Sequence, residues 1–339
     1  MVAEHPDTEL VRATQHALDV WLRTPATSPT SQVSGGGAIA HAEARLSAAL
    51  GDRPVLLTPS ASYALWVALR VLGIGSGDEV LVPGFDWTAG AAAVRATGAL
   101  PVVVPVDRAT LTIDPTRAAS LRTARTRAVI ATHVLGIPAD VPALRCTLPW
   151  VPILEDCAQA FGSQLDGQPV GTLGDAAVFS FGPGKRIDAG ELGALVLRDR
   201  DLWESAVRMS THPIRQQHSG MAEPDPSWLS IRPHPLAAIL LAVALERDDA
   251  SKLIDARHRL ATHLRDTTRL TLLGVDGRRR VASSSIPVDP ADPALPTVSD
   301  HLRVGSADLF DIDSVLTGRP TSRRVALIAS RPRHPAERG

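Results

Sequence analysis

From residue 55 onwards the chain alternates short apolar runs with longer stretches of helical period. The runs are Val55-Leu56-Leu57, Val80-Leu81-Val82, Val102-Val103-Val104, Ala128-Val129-Ile130-Ala131, Trp150-Val151-Pro152-Ile153-Leu154, Ala177-Val178-Phe179-Ser180 and Ala194-Leu195-Val196-Leu197. Stretches 64–72 and 89–97 carry the helical spacing between the first three. Strands buried on both faces read as continuous apolar runs, so the pattern predicts an α/β fold: a mostly parallel sheet covered by helices on both sides.

The flanks read differently. Residues 5–23 set Leu10, Val11, Ala17, Leu18 and Trp21 on one helical face, and the prolines from Pro25 end it. A second amphipathic stretch covers 39–50. Past Arg198, 202–209 predicts a short helix, 211–232 an irregular segment broken by Pro213, Pro224 and Pro226, and 236–265 one long helix. Beyond it, 287–296 is proline-rich, 302–315 is only partly periodic, and 324–328 predicts a terminal strand. The expected organisation is a helix and linker over 1–34, a large domain over 35–235, and a long helix with a reduced C-terminal domain over 236–339.

In parallel sheets, ligands gather beyond the carboxyl ends of the strands. That rule selects Ser60-Ala61-Ser62, Phe85-Asp86-Trp87, Thr132-His133, Glu155-Asp156 and the glycine-rich turn bearing Lys185. Lysine is rare here: of 35 basic residues only Lys185 and Lys252 are lysines. An ammonium can lose its proton and become a nucleophile, which a guanidinium cannot. Nucleotide cradles are not signalled. Phe179 stands where a P-loop needs its first glycine and Arg186 follows the lysine, while Gly35-Gly36-Gly37 follows a polar linker and not a strand.

An aspartate after one strand and a lysine on the same rim suit pyridoxal phosphate, which needs an anion at its ring nitrogen and an amine for its aldehyde. Asp156 would keep the pyridine nitrogen protonated and Lys185 would hold the aldehyde as a Schiff base. The helix starting after Ser62 offers free N–H groups to the phosphate, Ser180 a hydroxyl, and Trp87 a flat face for the ring. Each residue also has a plainer reading: Asp156 and Ser60 or Ser62 as helix caps, Trp87 as a core aromatic, Lys185 as a surface lysine.

Composition narrows the class. A chain of 339 residues, 44% hydrophobic, buries a large core, and a formal charge of −1 gives no long-range pull towards nucleic acid or an anionic membrane. Cys146 and Cys157 lie in no metal-ligand spacing and form no disulfide framework, and charged residues interrupt the N-terminus, so a cytoplasmic protein without a bound metal is expected. The longest apolar run, 235–245, is too short to span a bilayer.

At these residues the sequence resembles the DegT/DnrJ/EryC1/StrS family of pyridoxal-phosphate-dependent sugar aminotransferases, which have the three-layer fold-type-I architecture. Ser60-Ala61-Ser62-Tyr63-Ala64-Leu65 is similar to the family's phosphate turn, Gly77-Asp78-Glu79-Val80 with Pro83 to its Gly-Asp-Glu-Val stretch, and Thr132-His133-Val134-Leu135-Gly136 to its His-x-x-Gly loop. Glu155-Asp156-Cys157-Ala158-Gln159-Ala160 and Phe179-Ser180-Phe181 with Lys185 and Gly190-Glu191-Leu192-Gly193 follow in the family's order. The resemblance implies Lys185 as the Schiff-base lysine and proton shuttle, Asp156 as partner of the pyridine nitrogen, and Gln159 near the ring hydroxyl. It further implies Trp87 stacked on the ring, and Ser60, Ala61, Ser62 and Ser180 around the phosphate.

The implied function is transfer of an amino group, from glutamate by analogy, to a keto-sugar or cyclitol ketone of secondary metabolism such as antibiotic biosynthesis. It implies a homodimer in which Arg232 reaches the neighbouring site, with His133 at the substrate or dimer-interface edge. A dehydratase branch has histidine at the lysine position, so Lys185 argues for transamination. Departures from the family pattern are Ala61 for glycine, Asp86 for a small hydroxyl residue, Ser230 for asparagine, and a short tail. Two other readings follow from them: a pyridoxal-phosphate lyase or condensing enzyme on an amino-acid-derived substrate, and a catalytically idle partner subunit.

Overall fold

A computed structural model describes residues 8–23, 33–225, 231–267, 271–283, 285–288, 302–311 and 322–330. Its centre is a sheet of seven strands: β1 (Val55–Thr58), β2 (Glu79–Pro83), β3 (Leu100–Val104), β4 (Thr126–Thr132), β5 (Ile153–Asp156), β6 (Ala176–Ser180) and β7 (Gly193–Leu197). They lie side by side in the order β1-β7-β6-β5-β4-β2-β3. Neighbours from β6 to β3 are parallel, whereas β7 runs antiparallel to both β6 and β1. Parallel neighbours need a crossover, but β6 and β7 are joined by a turn alone, and so β7 reverses.

The apolar runs are explained by burial on both faces. Leu56, Val80, Val82, Ile130, Leu154, Val178 and Leu195 face helices Ala61–Val71, Ala89–Ala96 and Arg200–Ser210. Alternate residues turn the other way: Leu57, Ala177, Phe179 and Val196 pack with residues of helices Ala38–Ala49 and Pro235–Arg247, and Leu81, Val129 and Ile153 with residues of Pro115–Leu121 and Val141–Thr147. Two sheet faces, each under helices, make the three layers.

Three elements differ from the expectation. Segment 211–232 contains a helix, Pro213–His218: Pro213 occupies its first turn, where a missing N–H costs nothing, and His212 Nδ1 accepts from the Ile214 N–H at 3.1 Å. The long helix over 236–265 is two helices, Pro235–Arg247 and Ala250–Thr267. Apolar spacing runs through the joint, but Asp248 turns extended (ψ 130°) and Asp249 accepts from the Ser251 N–H at 3.1 Å, opening the second helix. Third, the partly periodic stretch is a strand, Leu302–Asp311, paired with Ser322–Ser330, which also pairs Ser285–Val288. This sheet ends on Phe85–Asp86, with Phe310 opposite Asp86, so the C-terminal strands attach directly to the rim. The expected linker at 24–32 and proline-rich stretch at 289–296 lie outside the described residues. No described helix is long and apolar enough to cross a membrane.

Candidate functional site

The turn 181–192 carries Lys185. Its base is closed by Phe181 N–H to Leu192 O and Ala189 N–H to Phe181 O, both 2.8 Å. Asp188 accepts from the N–H groups of Gly184 (3.2 Å) and Gly190 (2.8 Å). Arg186 clasps the turn to the helix joint: Nε donates to Phe161 O at 2.8 Å, and the guanidinium grips Asp248 with two bonds of 2.6 and 2.7 Å. Neighbouring Lys185 is thus held on a fixed frame, half-buried.

Asp156, at the end of β5, is 6% exposed and accepts from the Ala158 N–H at 3.0 Å. The helix cap expected of it is not made, because 158–162 are turns and no helix starts after Asp156; the carboxylate bonds within that turn and keeps a second oxygen. Burial pushes its carboxyl up, against the Ala158 bond and the charge of Lys185. Burial likewise lowers the Lys185 ammonium, opposed by the charge of Asp156. Amine and carboxyl therefore feel each other across the rim.

Thr132 ends β4 directly opposite Asp156. Its hydroxyl donates to Asp86 Oδ2 at 2.5 Å, and the Trp87 N–H donates to Oδ1 at 2.7 Å. Asp86 is 4% exposed, and burial, then the charge of Asp156, push its carboxyl up to about 8 in spite of those bonds. The next residue, Trp87, is 54% exposed, so it stands on the rim and not in the core.

At the other end of the sheet Thr58, Gly193 and Ser180 form one row across β1, β7 and β6. Gly193 is required there: a Cβ on it would lie 2.3 Å from Ser60 C and 2.5 Å from Ala61 N. This close approach brings the start of helix Ala61–Val71 against the Ser180 strand. The Ser60 hydroxyl caps that helix by accepting from Tyr63 N–H at 3.2 Å, leaving the N–H groups of Ala61 and Ser62 without an intrahelical partner. The half-buried Ser180 hydroxyl bonds to no described residue.

Gln159 accepts from the Leu135 N–H at 2.6 Å through Oε1, which fixes its amide and leaves Nε2 as a donor. His133, expected at a substrate or partner edge, is fully buried. Its Nδ1 accepts from Ala139 N–H at 2.9 Å, so the proton is on Nε2, which donates to Glu155 Oε2 at 3.0 Å. Glu155 also accepts from the N–H groups of Gly171, Leu173 and Gly174. Burial pushes Glu155 up, but these donors outweigh it and leave the carboxyl below its ordinary range. His133, Glu155 and Cys157 bring ligand-type atoms within 4.8 Å of one another. Both imidazole nitrogens and both carboxylate oxygens are already bonded, and burial pushes the Cys157 thiol well up, so this cluster is a brace under the rim. The sequence marked His133 by position alone; what it lacked was any sign of depth. Arg232 is exposed ahead of helix Pro235–Arg247 and bonds to no described residue.

Comparison with known proteins agrees with this architecture. The model of the DegT/DnrJ/EryC1/StrS aminotransferase family matches residues 24–282. L-glutamine:scyllo-inosose aminotransferase of Streptomyces griseus is 41% identical over 170 residues, 49% of this chain and 40% of that protein. The chain thus spans less than half the length of this curated relative. The crystal structure of 3-amino-5-hydroxybenzoic acid synthase superposes with a TM-score of 0.72 at 29% identity, covering 84% of this chain and 74% of that one. S. venezuelae DesV in complex with a ketimine intermediate gives 0.71 at 28%, over 84% and 76%. The fold is that of the fold-type-I pyridoxal-phosphate aminotransferases. The chain belongs to the DegT/DnrJ/EryC1/StrS aminotransferase family.

Proposed function

We propose that this chain is a pyridoxal-phosphate-dependent aminotransferase that moves an amino group from glutamate or glutamine to the ketone of a keto-sugar or cyclitol in cytoplasmic secondary metabolism, working as a homodimer. The observation that carries the reading is the placement of buried Asp156 at the end of β5 beside Lys185 on the closed turn that follows β6, its parallel neighbour. The Streptomyces griseus relative, named for L-glutamine and scyllo-inosose, supports the substrate class.

The residues fit the cofactor at every end. The unpartnered N–H groups of Ala61 and Ser62 and the free Ser180 hydroxyl suit a phosphate, since a helix start carries partial positive charge. Asp156, buried and capable of ionising opposite a cation, suits a protonated pyridine nitrogen, and the Nε2 of Gln159 suits a ring hydroxyl. Trp87 supplies an exposed aromatic face. When bound, pyridoxal phosphate supplies the electron sink that makes the donor's α-proton acidic. Lys185 would hold the cofactor's aldehyde, and its Nζ, whose ammonium burial lowers, would move the donor's α-proton. The brace of His133 and Glu155 keeps the neighbouring strand ends in register. Exposed Arg232 is free to meet a second subunit.

The test is spectroscopic. Purified protein with added pyridoxal phosphate should be yellow and Lys185→Ala should lose the visible band. Glutamate or glutamine should bleach it with release of the 2-oxo acid. A band that neither amino acid changes favours the lyase reading, and a protein that binds no cofactor favours the idle partner. A monomer in light scattering that retains activity would overturn the dimer.

A further inference from the structure

The second helix past the joint, Ala250–Thr267, packs Ile254, Leu260, Ala261 and Leu264 inward. Arg257 lies on the same buried side, 5% exposed, and neither of its terminal nitrogens has a hydrogen-bond partner among the described residues. Burial lowers this guanidinium to about 10, which leaves it charged at neutral pH. An unpaired buried cation is among the most costly arrangements a fold can hold, and a structure normally answers it with a carboxylate.

No described carboxylate answers this one. Arg257 forms part of the wall of a cavity of about 330 Å³ shared with His258, Arg279, Arg280, Asp255 and Asp276. Asp276 is committed elsewhere: it pairs with Arg279 and accepts from the N–H groups of Arg278 and Arg279 at 3.0 and 2.9 Å. Asp255 is exposed and only two positions away on the same helix, a spacing at which side chains do not face each other. Arg279 Nε is tied to Pro138 O at 2.7 Å, so the cationic wall is itself fixed. Three guanidinium groups against two carboxylates leave the lining positive.

We infer that this cavity is an anion site, distinct from the Lys185 rim, that takes the carboxylate or phosphate of a small metabolite against Arg257. The guanidinium has no hydrogen bond of its terminal nitrogens to give up on meeting such a group. The volume admits a molecule the size of an amino acid. Its floor adjoins the rim from behind: Val281 packs on Gly136, a Cβ on which would lie 3.2 Å from it, next to the Leu135 N–H that holds Gln159. The inference does not depend on the role of Lys185.

Calorimetric titration of the full chain tests it, with excess pyridoxal phosphate present throughout to fill the start of helix Ala61–Val71. Inorganic phosphate, glutamate and 2-oxoglutarate are titrated separately at constant ionic strength, with chloride as the control; which of them binds distinguishes phosphate from carboxylate. At least one should bind, Arg257→Met should weaken it at least tenfold, and Arg257→Lys less. Titrations that are identical in wild type and Arg257→Met, or no binding of any of the three at about 50 mM, would overturn the inference. Should Arg257→Met fail to fold, unchanged affinity in Arg257→Lys does the same. If the protein takes up no pyridoxal phosphate, the aminotransferase reading fails separately, and the Arg257 variants still report on the anion.

Discussion

Asp86→Asn removes a carboxyl whose burial outweighs the two hydrogen bonds it accepts. The folded carboxyl sits at about 8 against an ordinary value of 3.8, and it is 4% exposed. A raised carboxyl gives the folded state an extra proton to hold. Its contribution is complete below about pH 4, and is lost as pH climbs to about 8. Each pH unit in that window costs about 1.4 kcal/mol for one proton, so the whole interval is worth on the order of 5 kcal/mol. Asparagine cannot ionise, and its amide can still accept from the Trp87 N–H and donate to the Thr132 oxygen. Relative to the variant, wild-type apoprotein should therefore weaken steadily, by about 3–4 kcal/mol from pH 5 to pH 8. Urea unfolding of both proteins at pH 5, 6, 7 and 8 measures that difference; groups remote from Asp86 cancel in it, and the charge of Asp156 acting on Asp86 is part of the measured step. A gap that does not change with pH would refute the account of Asp86, whatever its absolute size.

Two further substitutions probe the frame. Gly193→Ala places a methyl 2.3 Å from Ser60 C, so the start of helix Ala61–Val71 must move; affinity for pyridoxal phosphate should fall about tenfold or more with the circular dichroism unchanged, and an unchanged affinity contradicts the phosphate assignment. Glu155→Gln replaces an acceptor of four hydrogen bonds with a group that has only one oxygen, leaving buried N–H groups of 171–174 unanswered. The cost should be about 2–4 kcal/mol in urea unfolding, and a neutral result would mean that the brace is not structural.

The main sheet and the rim were legible because they depend on local signals. A strand buried on both faces has to be apolar throughout, and the residue after it has to be at the carboxyl end. What was hidden depended on contacts that the hydrophobic period does not carry. The break at Asp248, which Arg186 grips from sixty-two residues away, falls where the helical spacing continues undisturbed. Pro213 signals a helix start as readily as an interruption, and only the His212 cap decides between them. The strand Leu302–Asp311 draws its order from pairing at Ser322–Ser330, which a weak period does not reveal. His133 and Asp86 occupy rim positions in the sequence, but depth is set by what packs above them. Nothing in the spacing of 236–265 sets Arg257 apart from the other charges of that stretch.

The turn between β6 and β7 fixes more than a direction of travel. Both of its ends are locked into one ladder, Ser180 against Gly193, so a change in its length falls on the residues between them. Adding or deleting a residue there would re-aim the amine while the surrounding layers stayed as they are. Loop length at this single place therefore sets where the amine points, and natural or designed variation in it should shift that aim before it alters whether the chain folds.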